Sequence, residues 1–307
     1  MPIDQQTLEL IRQNSPQLTK LELGGLELQD SDLLELSDAL KFNTAVLSID
    51  LCDNNIVDKR LEFLLTLKFG KAFKVDLSDN LITANGWRYF AEHNKQFIDL
   101  SVTGSLLEDD AATALGRSKC LRSLDLSSNN IADLGAEQLA ANGSIVELFL
   151  RGNKISSVGA NKLLSNPRFV LLHLHRNHIT TLDDKTLSAN TTLRSLGLDD
   201  NPLTKDTILA VVQRLSLQSL SLARLGLGDD FASVLAQSLT LETVFLAGNK
   251  FTDEGAAILC ANPRLTTISL QQNQLKKCSS SRMSRVVKPV VAKTEADKEE
   301  PSMPMRP

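Results

Sequence analysis

Apolar residues recur in one frame along most of this chain. An apolar residue is followed by two of any kind, then by an apolar pair flanking one variable position, then two further residues, an asparagine, one more residue and a last apolar side chain. The clearest unit is Leu121, Leu124, Leu126, Asn129 and Ile131. Asn129, Asn153, Asn177, Asn201, Asn249 and Asn273 share a register with a 24-residue period, and Leu225 stands where the rung between Asn201 and Asn249 is due. Nearer the N-terminus the period loosens. Val46-Ile49-Leu51-Asn54-Ile56 and Ala72-Val75-Leu77-Asn80-Ile82 keep the frame, Ile98-Leu100 reads as a unit with Thr103 at the asparagine place, and Leu18-Leu21-Leu23 with Leu26 opens the series, giving eleven units.

The variable position between two leucines marks a short strand, whose alternate side chains face opposite ways. The leucines then point into the coil, and the residue between them points out. Where the chain leaves the strand, a buried asparagine supplies two donors and an acceptor to backbone groups of its own and the adjacent coil. The second half of each unit reads as a helix, with Leu139, Leu163, Leu187, Val211, Leu235 and Leu259 in one column. Gly135-Ala136, Gly159-Ala160 and Gly255-Ala256 mark where those helices pack closest, and Asn142, Asn166, Asn190 and Asn262 read as turn residues after them. A helix is about 10 Å wide, while strands pair about 4.8 Å apart. One helix per strand therefore splays the outer side and bends the array into a horseshoe. The pattern predicts an α/β solenoid with a concave parallel sheet and convex helices. Residues 1–17 read as a helical N-terminal cap with Asp4 at the helix start, residues 18–275 as the repeats, and residues 276–307 as a mostly disordered tail. Val286, Val287, Val290 and Val291 of that tail are candidates to cover the open last coil. Trp87 stands where later units have Ala136 or Ala160 and is read as core filler, with a convex contact as the alternative.

Charge narrows the class of partner. The chain carries a net −4, while residues 276–307 hold eight Lys/Arg against four Asp/Glu, so the repeats are the acidic part. A phosphate-binding face needs clustered positive charge, so no nucleic-acid partner is expected. Four cysteines without metal-ligand spacing indicate a reducing setting. No signal segment or apolar run of membrane-spanning length is seen, so a cytosolic protein with no membrane span, or one delivered to a cytosol by a nonclassical route, is expected. No cofactor is implied, and a monomer is expected.

The outward column between the strand leucines is the candidate site. It reads Glu22, Asp50, Asp76, Asp99, Asp125, Phe149, His173, Gly197, Ser221, Phe245 and Ser269. Stacked aspartates repel at a cost of about 1 kcal/mol per pair in water, which a partner with a basic patch would relieve; the alternative is that Asp simply belongs to the repeat wording. Phe149, Arg151, Leu171, His173, His175 and Arg176 then bring aromatic and basic side chains together, the composition of an interface hot spot, with cross-strand packing of Phe149 and Leu171 as the alternative. Phe245 is a second, isolated candidate. His173, His175 and Asp199 offer metal-ligand chemistry, but histidines two apart are ordinarily solvated or hydrogen-bonded, so no metal is expected; His178 falls beyond the turn. No nucleophile or carboxylate constellation supports catalysis.

These units resemble ribonuclease-inhibitor-like leucine-rich repeats. The wording from Leu124 to Ala136, Leu-Asp-Leu-Ser-Ser-Asn-Asn-Ile-Ala-Asp-Leu-Gly-Ala, resembles the repeats of bacterial effector proteins, and Glu295, Asp297, Glu299 and Glu300 with Met303 and Met305 look like a type IV secretion signal. The resemblance implies a non-enzymatic protein-binding module acting on a host cytosolic protein. Its alternatives are a GTPase-activating regulator resembling the Ran GTPase-activating protein and a substrate adaptor for ubiquitin ligation. An F-box-type module ahead of the repeats and a ligase domain around Cys278 are not seen in this sequence, which counts against the adaptor alternative as an expectation.

Overall fold

The computed structural model describes residues 3–70 and 73–276. Ala72, Cys278, the four tail valines and the acidic cluster with Met303 and Met305 lie outside the described residues. Among the described residues eleven strands alternate with eleven helices, and the strands form one parallel sheet in chain order. The strands are β1 (Lys20–Glu22), β2 (Ser48–Asp50), β3 (Lys74–Asp76), β4 (Asp99–Ser101), β5 (Ser123–Asp125) and β6 (Glu147–Phe149), continuing with β7 (Leu171–His173), β8 (Ser195–Gly197), β9 (Ser219–Ser221), β10 (Thr243–Phe245) and β11 (Thr267–Ser269). The helices are α1 (Gln5–Arg12), α2 (Asp30–Leu40), α3 (Asp58–Thr66), α4 (Ala84–His93), α5 (Asp109–Leu115) and α6 (Asp133–Ala140), then α7 (Ser157–Leu164), α8 (Asp184–Ala189), α9 (Lys205–Arg214), α10 (Asp230–Ala236) and α11 (Asp253–Ala261). The coils are numbered with their strands. α1 precedes the first coil, with Leu8 and Ile11 buried and Asp4 accepting from the Thr7 N–H at 2.8 Å.

The middle residue of every strand is inward and fully or almost fully buried, from Leu21 to Ile268. Each such leucine contributes roughly 1.5–3 kcal/mol of burial, and all of them belong to one continuous core with the helix column. The asparagine rungs close the coils. Asn153 Nδ2 donates to Leu126 O at 2.9 Å and Leu150 O at 3.1 Å, while its Oδ1 accepts from Ile131 N at 3.0 Å. Asn54, Asn80, Asn129, Asn177, Asn201, Asn249 and Asn273 likewise donate to carbonyls of their own and the preceding coil. Just before each rung one residue turns left-handed, from Gly25 to Gln272, with φ between +50° and +69°. Asp, Ser, Arg and Gln fill seven of these eleven places.

Two further ladders lie on the helical side. The side chain of Asn142 donates to Gly116 O and Ser118 O of the coil before, both at 2.8 Å, so these asparagines tie adjacent helix ends together as well as turning the chain. Asp133, in the first turn of α6, accepts from Ser156 N at 2.8 Å and Gly159 N at 3.0 Å at the start of α7. Asp58, Asp109 and Asp229 reach the next helix start in the same way. This explains the Gly-Ala pairs: a Cβ on Gly159 would fall 2.6 Å from Asp133 Oδ1, and one on Gly135 2.7 Å from Asp109 Oδ1. The glycines make room for a carboxylate.

One coil departs from the frame expected of it. Leu100 pairs with Val75 and Leu124, and Ser101 pairs with Asp76 and Asp125. The flanking pair in coil 4 is thus Leu100 and Val102, the asparagine place is held by Ser105 rather than Thr103, and Asp99 falls outside the aspartate column. The pairings Leu21–Ile49, Ile49–Val75 and Val75–Leu100 give intervals of 28, 26 and 25 residues before the 24-residue period sets in. Ser105 Oγ accepts from Asp79 N at 2.9 Å and donates to Thr103 O at 3.1 Å, a partial replacement for the missing rung. Trp87 is fully buried and meets Phe90 edge-on at 5.9 Å, with no hydrogen bond to its indole nitrogen.

Candidate functional site

The register fixes the inner column as Glu22, Asp50, Asp76, Ser101, Asp125, Phe149, His173, Gly197, Ser221, Phe245 and Ser269. Asp99 stands in the flanking column between Lys74 and Ser123, and its carboxylate lies 3.3 Å from Lys74 Nζ. The three remaining aspartates have local partners. Asp50, Asp76 and Asp125 each accept from the backbone N–H two residues on, at Cys52, Ser78 and Ser127, between 2.9 and 3.0 Å. Each carboxylate therefore fixes the chain as it leaves its strand. Burial raises the Asp125 carboxyl above its ordinary value, against the pull of its bonds from Ser127. Burial, then Asp53 and Asp76, raises Asp79. Cys52 beside Asp50 is pushed up to about 12 by burial and by that carboxylate, which leaves the thiol protonated and unreactive.

Coils 6 to 9 carry a connected array. The Phe149 ring meets His173 edge-on at 5.1 Å, and His173 meets His175 at 4.9 Å. His175 Nδ1 lies 3.1 Å from Asp199 Oδ2 and 3.3 Å from Asp199 N. The Asp199 N–H donates to Nδ1, and the Asp199 carboxylate lies against the same edge of the imidazole. Asp199 Oδ1 accepts from Ala223 N at 2.8 Å, and Ser221 adds a side-chain bond. Burial alone would raise the Asp199 carboxyl, but these contacts, His175 first, hold it below its usual value. Gly197 is what lets the array lie flat: a Cβ there would fall 2.2 Å from His175 Cε1 and Nε2, so the imidazole occupies the space a side chain would need. His173 is lowered to about 4 by burial and by its neighbour His175, so it is neutral at pH 7.

Arg151 is half-buried two residues beyond Phe149, and Leu171 is half-buried in the flanking column beside Glu147 and Ser195. Phe245 is 40% exposed, three strands away from His173. Arg176 leaves the group: it is a left-handed turn residue at the edge where the strands end, and its Nε lies 3.2 Å from Asp200 Oδ2. Arg224 closes on the same carboxylate at 2.6 Å, and the two arginines, Arg224 first, hold Asp200 below its ordinary value. In the sequence this three-member chain shows as Arg176, Asp200 and Arg224 at one register with alternating charge, three residues beyond the strand column. His178 is exposed beyond the turn. His173, His175 and Asp199 do not form a ligand set, and among the described residues no group of three or more His, Cys, Asp or Glu could hold a metal. No helix among them is long and apolar enough to cross a membrane.

A family model described as Leucine Rich repeat matches residues 117–140 and 237–260. No curated protein matches the chain. Among solved structures, an internalin (inlF) from Listeria monocytogenes is 19% identical with a TM-score of 0.52, over 92% of this chain and 94% of that one. The TLR13–ssRNA13 complex aligns at 19% identity and a TM-score of 0.48 over 88% of this chain, which spans only 35% of that one. The match to the internalin is one of fold, and it agrees with the eleven stacked coils and their asparagine rungs among the described residues: the chain has the leucine-rich repeat fold.

Proposed function

We propose that the concave sheet docks a protein partner, without catalysis, through the array of Phe149, His173 and His175, with Arg151 and Leu171 beside it. The observation that carries this reading is Gly197, whose missing side chain is what allows His175 to lie across β8 and reach Asp199. A surface whose side chains are locked in place before binding loses little entropy on docking, and aromatic groups so held are the usual anchors of an interface. Phe245 lies further along the same trough as a second contact. The acidic stretch at Asp50 and Asp76 orients a basic patch on the partner and speeds encounter. Because Asp50, Asp76 and Asp125 also bind their own turn amides, the acidic column has a structural role alongside the steering role. Asp99 is paired with Lys74 at the margin of the same sheet.

The finer reading is a secreted bacterial effector that engages a host cytosolic protein. It rests on the likeness of the Leu124–Ala136 wording to effector repeats. Cross-linking mass spectrometry in host lysate identifies the partner. With that partner in hand, Phe149→Ala lowers affinity by about 2 kcal/mol, a hot-spot loss. Asp76→Lys slows association at low salt and leaves dissociation almost unchanged. If neither variant alters binding, the partner docks elsewhere and the sheet is not the site.

A further inference from the structure

The edge where the strands end presents two columns of outermost side chains: the left-handed residue of each coil, and the residue after each asparagine place. Their charges are segregated. Coils 1 to 5 contribute Glu27, Asp53 and Asp79 and no basic residue, while coils 6 to 10 contribute Lys154, Arg176, Arg224 and Lys250 with Asp200 the one acid. Asp200 is held between Arg176 and Arg224, so that trio keeps a net positive charge.

The two halves also match in order. Reversing the array about the boundary between coils 5 and 6 carries coil 1 onto coil 10, 2 onto 9, 3 onto 8 and 4 onto 7. Glu27 then meets Lys250, and Asp53 meets Arg224. Asp79 meets Asp200, whose carboxylate is already neutralised by Arg176 and Arg224 of the coils on either side. Exposed Leu81 (61%) meets Pro202, and Leu106 (74%) meets His178. A two-fold axis lying in the plane of this edge and passing between coils 5 and 6 performs this reversal, laying each column against the same column of another molecule. That is the geometry of an isologous contact.

We propose that the strand-exit edge is a self-association surface, occupied by a second copy of this chain in antiparallel register. Opposite charge fixes the register, and Leu81 and Leu106 supply the apolar contact. The concave sheet stays open in such a pair, so the proposal stands independently of the docking reading above. It stands against the expectation of a monomer, and the experiment below decides between them.

Sedimentation equilibrium of the full chain tests it. The expected mass rises from one chain toward two with concentration, up to about 100 µM, and the association weakens as salt shortens the reach of these exposed charges. Glu27→Lys or Lys250→Glu, each of which acts twice across the two-fold, weakens association by about tenfold, and the two together restore it. These sites lie outside the Arg176–Asp200–Arg224 chain, so the coils are undisturbed. Leu106→Asp gives an independent loss at another coil. The proposal is overturned by a mass of one chain at every concentration, by a dimer that none of these changes weakens, or by a double variant no stronger than the singles.

Discussion

His173 makes the inner surface acid-sensitive. Its ring sits between Phe149 and His175, and burial first, then repulsion from His175, lowers its pKa from 6.5 to about 4, with Asp199 pulling weakly the other way. The sign follows from proton counting. Between those values the unfolded chain binds a proton that the folded chain refuses, so stability rises with pH across the window. The contribution is complete above 6.5 and is lost as pH falls toward 4. At about pH 4.5 the loss works out at about 2.5 kcal/mol relative to neutral pH, from the linkage relation applied to that shift. Denaturant unfolding of the protein and of His173→Gln at the two pH values isolates this part, because glutamine does not titrate. The drop on acidification is expected to be smaller in the variant by about that amount. The ring's own midpoint, read by NMR, is expected near 4. A midpoint of about 6 or above, or equal acid losses in the two proteins, would mean the ring is hydrated and the Phe149–His173 contact is not formed.

Gly197→Ala places a Cβ inside the His175 ring, swings it away from Asp199 and breaks the bond from the Asp199 N–H, worth about 0.5–1.5 kcal/mol; the Asp199 carboxyl, followed by NMR, moves up in pH as the ring leaves it, and an unmoved carboxyl would show that the ring never depended on the glycine. Asn153→Ala leaves the Ile131 N–H without a partner, while Leu126 O and Leu150 O keep Asn129 and Asn177 as donors, and costs about 1–3 kcal/mol by denaturant titration, whereas no measurable loss would mean water replaces the rung. Ser105→Asn rebuilds the missing rung of coil 4 and raises the denaturation midpoint, by about 1 kcal/mol in stability, while a fall would refute the reassigned register.

The strand frame was legible because burial, hydrogen bonding and repeat length all point the same way wherever an asparagine is present. Coil 4 shows where that agreement ends. Ile98, Leu100 and Val102 alternate, and an alternating run looks the same after a slip of two residues, since the same face stays inward. With no asparagine to choose between the frames, alternation alone allowed Asp99 into the column. What decides the register is Phe97, buried 24 residues ahead of Leu121 and 3 ahead of Leu100, which leaves Ile98 half-exposed at the strand entrance beside Phe73. The flanking ladders were hidden for a different reason. Asp109, Asp133, Asp229 and Asp253 are polar residues on a 24-residue register, but their partners are backbone amides one coil later, and backbone groups leave no mark in a sequence. Only the glycines that yield to them do. The same holds at the candidate site. The aromatic and basic residues were visible one by one, but the bond that orders them runs from His175 across a glycine to Asp199. A glycine in a column of side chains is therefore informative in a stacked fold: it marks where a neighbouring coil's side chain lies down.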